Sequence, residues 1–321
     1  MRMGKQWSEA LARARAEAPF LAGALERQPE LADLLERGEG EAAIAFALAA
    51  GDGARTLEVA LRRERLALAT ALAIGDLAGA FPLARVMAEL SALADRALDQ
   101  AITEAIARRT GQSSSRGMIA LALGKLGASE LNYSSDIDPI LLYDPEQLPR
   151  RDRDEPGEAA QRYAREIVRL LSANSEEGYV FRVDLRLRPA SEVSPLAIPI
   201  GGALTHYESS ALAWERAAFI RARAAAGDIA AGEAFLRMVQ PFVWRSSLDF
   251  GAIDEIRRLT VRIRTNYRGP SEPEPGYNLK HGRGGIREIE FFAQTHQLIH
   301  GGRDPSLRLR GTRAALDALA R

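Results

Sequence analysis

Cysteine is absent from the 321 residues, so neither a disulfide framework nor a thiolate metal site can be built. No apolar run approaches the roughly 18 residues that a membrane span needs. The N-terminus also lacks the basic-then-apolar order of a signal peptide. An excess of one charge is missing too: 43 Lys and Arg balance 43 Asp and Glu, which argues against a polybasic nucleic-acid binder. What remains is ordinary globular composition, 46% hydrophobic and 27% charged, with length enough for two or three cores. The absences together point to the cytoplasm, with neither nucleic acid nor membrane as a partner.

The most informative stretch present is Gly124 to Asp138, GKLGASELNYSSDID, which joins a glycine turn, a short helical segment and two carboxylates one residue apart. Apolar runs of strand length flank it, Met118–Leu123 before and Ile140–Tyr143 after, and suit neighbouring buried strands of one sheet. On an extended backbone residues i and i+2 point to one face, roughly 6 to 7 Å apart. Asp136 and Asp138 therefore converge, and two like charges at the mouth of an apolar sheet favour a hard divalent ion between them. A pair of solvated aspartates ending a strand is the plainer alternative.

A second segment bears on that choice. Over Tyr179–Pro189, Val183, Leu185 and Leu187 alternate with Arg182, Asp184, Arg186 and Arg188, which predicts a strand with one core face and one ionic face. That face either meets water or makes Asp184 a third metal ligand beside arginines that grip phosphate oxygens.

The residues now carry a resemblance. Gly124, eleven intervening residues, Asp136-x-Asp138 and a later Asp184 resemble the nucleotidyltransferase superfamily typified by DNA polymerase beta. More closely, GKLGASELNYSSDIDPILLYD (124–144), VFRVDLRLRP (180–189), WERAAFIRAR (214–223) and KHGRGGIREIEFFAQTHQLIHGGRDPSLR (280–308) are similar, in that order, to the glutamine synthetase adenylyltransferase family. The similarity is weak over the first hundred residues and strong from about residue 117.

The resemblance implies an α+β, predominantly helical fold: a polymerase beta-like nucleotidyltransferase domain with a mixed sheet, flanked by helical bundles. Ala, Leu, Glu and Arg dominate Ser8 to Arg109, where Glu64–Ile74 and Phe81–Arg108 read as helices between proline breaks at Pro19, Pro29 and Pro82. Expected boundaries are an N-terminal bundle over 1–112, ending in the polar Gly111–Ser115 stretch, a catalytic domain over 113–226 and a helical region over 227–321. The loop Pro145–Pro156 is expected to be mobile, Glu158–Ser172 helical, and Gly269–Gly276 a loop. Arg313–Arg321 reads as a helix without a capping glycine. The family is about three times longer, so the chain is expected to be a truncated N-terminal half.

The resemblance further implies an adenylyl-removing activity. Inorganic phosphate would attack an adenylylated tyrosine of glutamine synthetase and release ADP; the adding reaction from ATP, or a non-catalytic regulatory docking module, are the alternatives. Asp136, Asp138 and Asp184 are then the catalytic residues and hold Mg2+ or Mn2+. Gly124, Lys125, Ser134, Ser135, Arg186 and Arg188 are expected around phosphate. Arg216, Ile220 and Arg223 share one face of a probable helix opened by Trp214, with Arg221 to the side, and Arg221 and Arg223 complete the nucleotide site. Lys280, Arg283 and the Gly284–Glu288 run form a helix start that favours anions or a tight interhelical turn. The nitrogen-regulatory PII signal protein is an expected partner of the longer enzyme.

Other signals are weaker. His296 and His300 have zinc spacing without an acidic or thiolate partner. Trp214, Phe219, Phe291 and Phe292 either stack adenine or fill core. Ala128-Ser129 stands where Gly-Arg is commoner, and Pro139 removes a backbone donor after Asp138, tolerable where that position faces no neighbouring strand.

Overall fold

The computed structural model describes residues 2–245, 254, 258, 261, 265, 267–270 and 272–321. Alanine-, leucine- and arginine-rich sequence forms the first six helices: α1 Arg2–Glu17, α2 Pro19–Arg27, α3 Pro29–Glu36, α4 Gly40–Leu48, α5 Leu57–Leu77 and α6 Leu83–Thr110. The prolines punctuate rather than interrupt. Pro19 and Pro29 occupy the first turns of α2 and α3, where a missing N–H costs nothing, and Pro82 is the N-cap of α6. Gly111 ends α6 with φ 75°, the left-handed cap that glycine adopts without strain. No described helix is long and apolar enough to cross a membrane.

A four-stranded sheet follows, in the order β3-β2-β1-β4. Strand β1 (Met118–Ala122) leads through the four-residue helix α7 (Gly124–Gly127) to β2 (Pro139–Tyr143), its antiparallel neighbour. Helix α8 (Pro156–Ser172) precedes β3 (Ala197–Pro199), which is parallel to β2. Helices α9 (Ile200–Ser209) and α10 (Ala213–Phe219) lead to β4 (Arg223–Gly227), antiparallel to β1 with a register shift at Ala120/Leu121. Then come α11 (Ile229–Val243), α12 (Ile286–His300), a 3-10 turn at Pro305–Leu307 and α13 (Thr312–Leu319). Asp254, Arg258, Val261 and Thr265 are helical, and the rest of the helical stretch expected over 246–266 lies outside the described residues.

Both apolar runs are buried at every position because the sheet is covered on both faces. Met118, Ala120 and Ala122 join the core shared with α1–α6 and α8. Ile119, Leu121, Ile140 and Leu142 face a second core with Tyr207, Phe219 and Phe235.

Three expectations change. The 179–189 segment is not a strand: Val183 makes one parallel bridge to Ile137, and the chain turns from Arg186 onward. The 145–156 loop is tied down rather than loose. Asp154 takes both arms of the Arg109 guanidinium at 2.7 Å, Arg151 donates to the Arg109 carbonyl, and the Tyr163 hydroxyl donates to the Pro149 carbonyl at 2.8 Å. The helix expected over 214–223 ends at Phe219, so Arg223 belongs to β4.

Candidate active site

The carboxylates are placed by backbone pairing. The Ile137 N–H donates to the Arg182 carbonyl at 3.0 Å, and the Asp184 N–H donates to the Ile137 carbonyl at 2.9 Å. Ile137 is fully buried, so its neighbours Asp136 and Asp138 project to the opposite side. Asp138 is fixed further by the Leu123 N–H, which donates to its carbonyl at 3.1 Å at the end of β1. That bond makes the adjoining Ala122–Pro139 pair a non-hydrogen-bonded one, so the Pro139 nitrogen faces away from β1. Strand β3 begins pairing only at Leu141, so Pro139 removes no ladder bond and does not distort the strand.

A cleft of about 730 Å³ opens over these residues. It collects Gly124, Lys125, Ser134, Ser135, the three aspartates, Arg186 and Arg221 from the expected set. Asn132, Arg182, Leu187, Lys280, Arg287 and Glu290 also line it. Gly124 is required where it stands: its φ is +56°, and a Cβ there would lie 2.5 Å from Asp138 Oδ2. Backbone and carboxylate thus approach more closely than any side chain allows.

The carboxylates differ in environment. Asp136 accepts from Arg182 Nε at 2.5 Å. Asp184 accepts from the Arg186 side chain and backbone N–H, and those bonds hold it below the usual carboxylate range. Among the described residues Asp138 has no such partner. Burial, reinforced by the neighbouring Asp184 and Asp136 charges, pushes it up to about 6. The donor set, oxygen only and acid-rich, fits a hard divalent cation in its chemistry. With Asp136 and Asp184 drawn onto arginines, no three acidic or His side chains among the described residues already surround a common point.

Two expected phosphate ligands lie elsewhere. Arg188 donates to the carbonyls of Leu185, Ser191, Ser194 and Pro195 and closes the turn after Asp184. Arg223 donates to Asp95 at 2.8 Å and to the Leu126 carbonyl at 3.0 Å, tying β4 to α6 and α7. Arg221 lines the cleft while paired to Glu290 at 3.2 Å and to Thr312. The Ser135 hydroxyl donates to Asn132 Oδ1, and the Ser134 carbonyl accepts from Arg182 Nη2. Arg283 is outside the cleft lining, and its carbonyl accepts from the Tyr277 hydroxyl.

None of the four aromatics weighed for adenine stacking lines the cleft: Phe219 is core, Phe291 packs on that core, and Phe292 is exposed. His296 and His300 stack with centroids 6.0 Å apart. Asn132 and Glu290 have no expected role in the sequence, whereas Arg287 falls within the Gly284–Glu288 run expected to favour anions at a helix start. Glu290 stands three residues after Arg287 on α12, and that i, i+3 spacing is its only local signal.

Residues 7–238 match the family model described as glutamate-ammonia ligase adenylyltransferase, and residues 257–321 match one described as GlnD PII-uridylyltransferase. A protein of Caulobacter vibrioides named bifunctional glutamine synthetase adenylyltransferase/adenylyl-removing enzyme is 43% identical over 322 residues, covering 95% of this chain and 33% of that protein. Proteins of the same name from Rhizobium meliloti and Rhodopseudomonas palustris (strain BisB5) are 45% and 42% identical, over 81% and 95% of this chain and 28% and 32% of theirs. The chain spans about a third of the length of these curated relatives.

Proposed function

The chain belongs to the glutamate-ammonia ligase adenylyltransferase family of nucleotidyltransferases, and from that premise we propose that its cleft is an adenylyl-removing centre on a polymerase beta-like scaffold. In this reading 1–112 is a supporting bundle, 113–226 the catalytic domain and 227–321 a helical region that completes the cleft. The protein substrate is glutamine synthetase carrying an adenylylated tyrosine. The setting is the cytoplasm, and the PII signal protein is a regulator of the longer enzyme.

The observation that carries the reading is three carboxylates from two chain segments meeting in one cleft with a surplus of cationic side chains. Phosphorolysis sets two electrostatic tasks. An anionic phosphate must approach an anionic phosphodiester, and a phenolate must leave, its conjugate acid having a pKa of about 10. Asp136, Asp138 and Asp184 would hold Mg2+ or Mn2+, which when bound supplies charge neutralisation and a template for in-line displacement. Gly124 lets the backbone come close to the ligand, and Lys125 on the same turn offers a point charge to the adenylyl phosphate. Arg182 and Arg186 hold the outer carboxylates, which fixes the rim of the site. The nucleophile is already anionic near neutral pH, so no strong general base is needed.

The test is incubation of the chain with adenylylated glutamine synthetase, phosphate and Mg2+. The expected result is ADP, abolished by Asp136→Asn with Asp138→Asn. Absence of ADP sinks the reading, and pyrophosphate from ATP and unmodified synthetase would assign the adding reaction instead.

A further inference from the structure

The cations of the cleft are not equivalent. Arg182 is engaged by Asp136, Arg186 by Asp184 and Arg221 by Glu290. The Lys125, Lys280 and Arg287 side chains line the same cleft with no hydrogen-bonded or ion-paired partner among the described residues. Asp138 is the one lining carboxylate left to them, so the cleft carries uncompensated positive charge beside its acidic floor.

Two of the three are set side by side by the backbone. Asn278 Oδ1 accepts from the N–H groups of Lys280 at 3.0 Å and His281 at 2.9 Å, turning the chain at that point. The loop then doubles back: the Ile286 N–H donates to the Leu279 carbonyl at 2.9 Å, and the Arg287 N–H to the Lys280 carbonyl at 3.1 Å. Glycine is needed for this closure, since a Cβ on Gly285 would stand 2.7 Å from the carbonyl oxygens of Gly282 and Leu279. The Gly284 N–H is taken by Glu288 Oε2 at 2.9 Å, so the loop spends its nearest acid on its own backbone. Lys280 and Arg287 are therefore a pair built into one folded loop, and they reach the cleft from a different element than Lys125.

We propose that Lys280 and Arg287 form the subsite for the attacking inorganic phosphate, the group that becomes the β-phosphate of ADP, while Lys125 serves the adenylyl phosphate. This rests on the phosphorolytic reading above. A phosphate dianion entering beside three carboxylates is repelled unless cations escort it, and a guanidinium fork with an ammonium point charge suits its oxygens. In the step, a phosphate oxygen bonds to the adenylyl phosphorus and the bond from that phosphorus to the tyrosine oxygen breaks. The electron pair leaves on the phenolic oxygen, which takes the proton carried in by HPO4 2−, so charge and atoms balance as ADP and free tyrosine.

The test is equilibrium binding of AMP and of ADP to the 321-residue chain with Mg2+, by titration calorimetry. The wild-type chain is expected to bind ADP at least tenfold more tightly than AMP. Lys280→Gln and Arg287→Gln are each expected to remove most of that preference with AMP affinity unchanged within twofold, and Lys280→Arg to restore it. In turnover the same variants raise the KM for phosphate at least tenfold and leave the KM for adenylylated synthetase unaltered. No ADP preference in the wild type, or equal weakening of AMP and ADP in variants with a wild-type melting curve, overturns the proposal. An ADP preference lost in the variants, in a chain that makes no ADP from adenylylated synthetase, upholds the subsite and refutes the assigned reaction instead.

Discussion

Replacing Gly124 by alanine probes the site at its tightest point. Two costs follow from the geometry. The backbone sits at φ +56°, where an L-residue with a Cβ is disfavoured by about 1–2 kcal/mol. The new Cβ would also lie 2.5 Å from Asp138 Oδ2 and 3.3 Å from its Cγ, against ordinary contact of about 3.4 Å or more, so the carboxylate must move by about 1 Å. Asp138 has little room, because its backbone is held by the Leu123 N–H and its charge is crowded by Asp136 and Asp184. A misplacement of that size costs about 10²-fold in rate. Single-turnover ADP release should therefore fall about a hundredfold in Gly124→Ala, Mn2+ titration should show weakened binding, and the melting temperature should drop by only about 2–8 °C. A variant with near wild-type turnover and metal affinity would refute the claim that the Gly124–Asp138 approach is part of the site.

Other regions make separate predictions. Glu58 is held down to about 2, first by its hydrogen bond from Arg108 and then by Arg169, so its contribution to stability is full above about pH 4.5 and lost as pH falls toward 2. That contribution is on the order of 1 kcal/mol after solvent screening, and Glu58→Gln should flatten the acid limb of melting temperature against pH. Tyr163→Phe removes the hydroxyl bond to Pro149 and should cost about 1 kcal/mol by urea unfolding while quickening proteolysis within 149–153. Wild-type cleavage kinetics in that variant would show the loop to be anchored by Asp154 and Arg151 without the tyrosine. Arg188→Ala should speed amide exchange over 190–195 and leave the phosphate KM within twofold, because its guanidinium is committed to four carbonyls. A tenfold rise in that KM would return Arg188 to the phosphate site.

What could be read from the sequence was whatever one segment determines by itself. Met118–Ala122 and Pro139–Tyr143 are legible as buried strands because a sheet covered on both faces demands unbroken apolar runs. Asp136 and Asp138 are legible because an i, i+2 relation on extended backbone survives whatever surrounds it. The 179–189 alternation was over-read: a single bridge at Val183 suffices to alternate Arg182, Val183 and Asp184, and the pattern then runs on into a turn that Arg188 closes. Arg221 lines the cleft as expected and Arg223 does not, because α10 stops at Phe219 and β4 begins at Arg223, which depends on pairing with β1 rather than on local propensity. Lys280 and Arg287 become partners only through the fold of the loop between them, and they reach the cleft only through the placement of that loop and α12.

The helical layer that precedes the sheet also holds the site in place. Helix α5 grips both segments that deliver the carboxylates. Arg62, 3% exposed, donates to the carbonyls of Glu58, Ala173 and Gly178, and its neighbour Arg63 pairs with Glu177 at 3.2 Å, so the turn leading into Tyr179 is fastened to the helix. Arg65 lies 4.8 Å over the Tyr179 ring, and the Tyr179 hydroxyl accepts from Arg182 Nη1 at 2.7 Å, the same guanidinium that holds Asp136. Farther along α5, Asp76 accepts from the Tyr133 hydroxyl at 3.2 Å, in the loop that carries Ser134 and Asp136. A buried guanidinium is costly to desolvate, and three carbonyl acceptors are the compensation that makes Arg62 tolerable. Carboxylates must be held within about 0.5 Å to act together on one ligand, and a single bridge at Ile137–Val183 is slender support for that. The missing rigidity comes from α5, which makes the helical layer before the sheet a structural part of the site through backbone carbonyls and two tyrosine hydroxyls rather than through any group that meets the ligand.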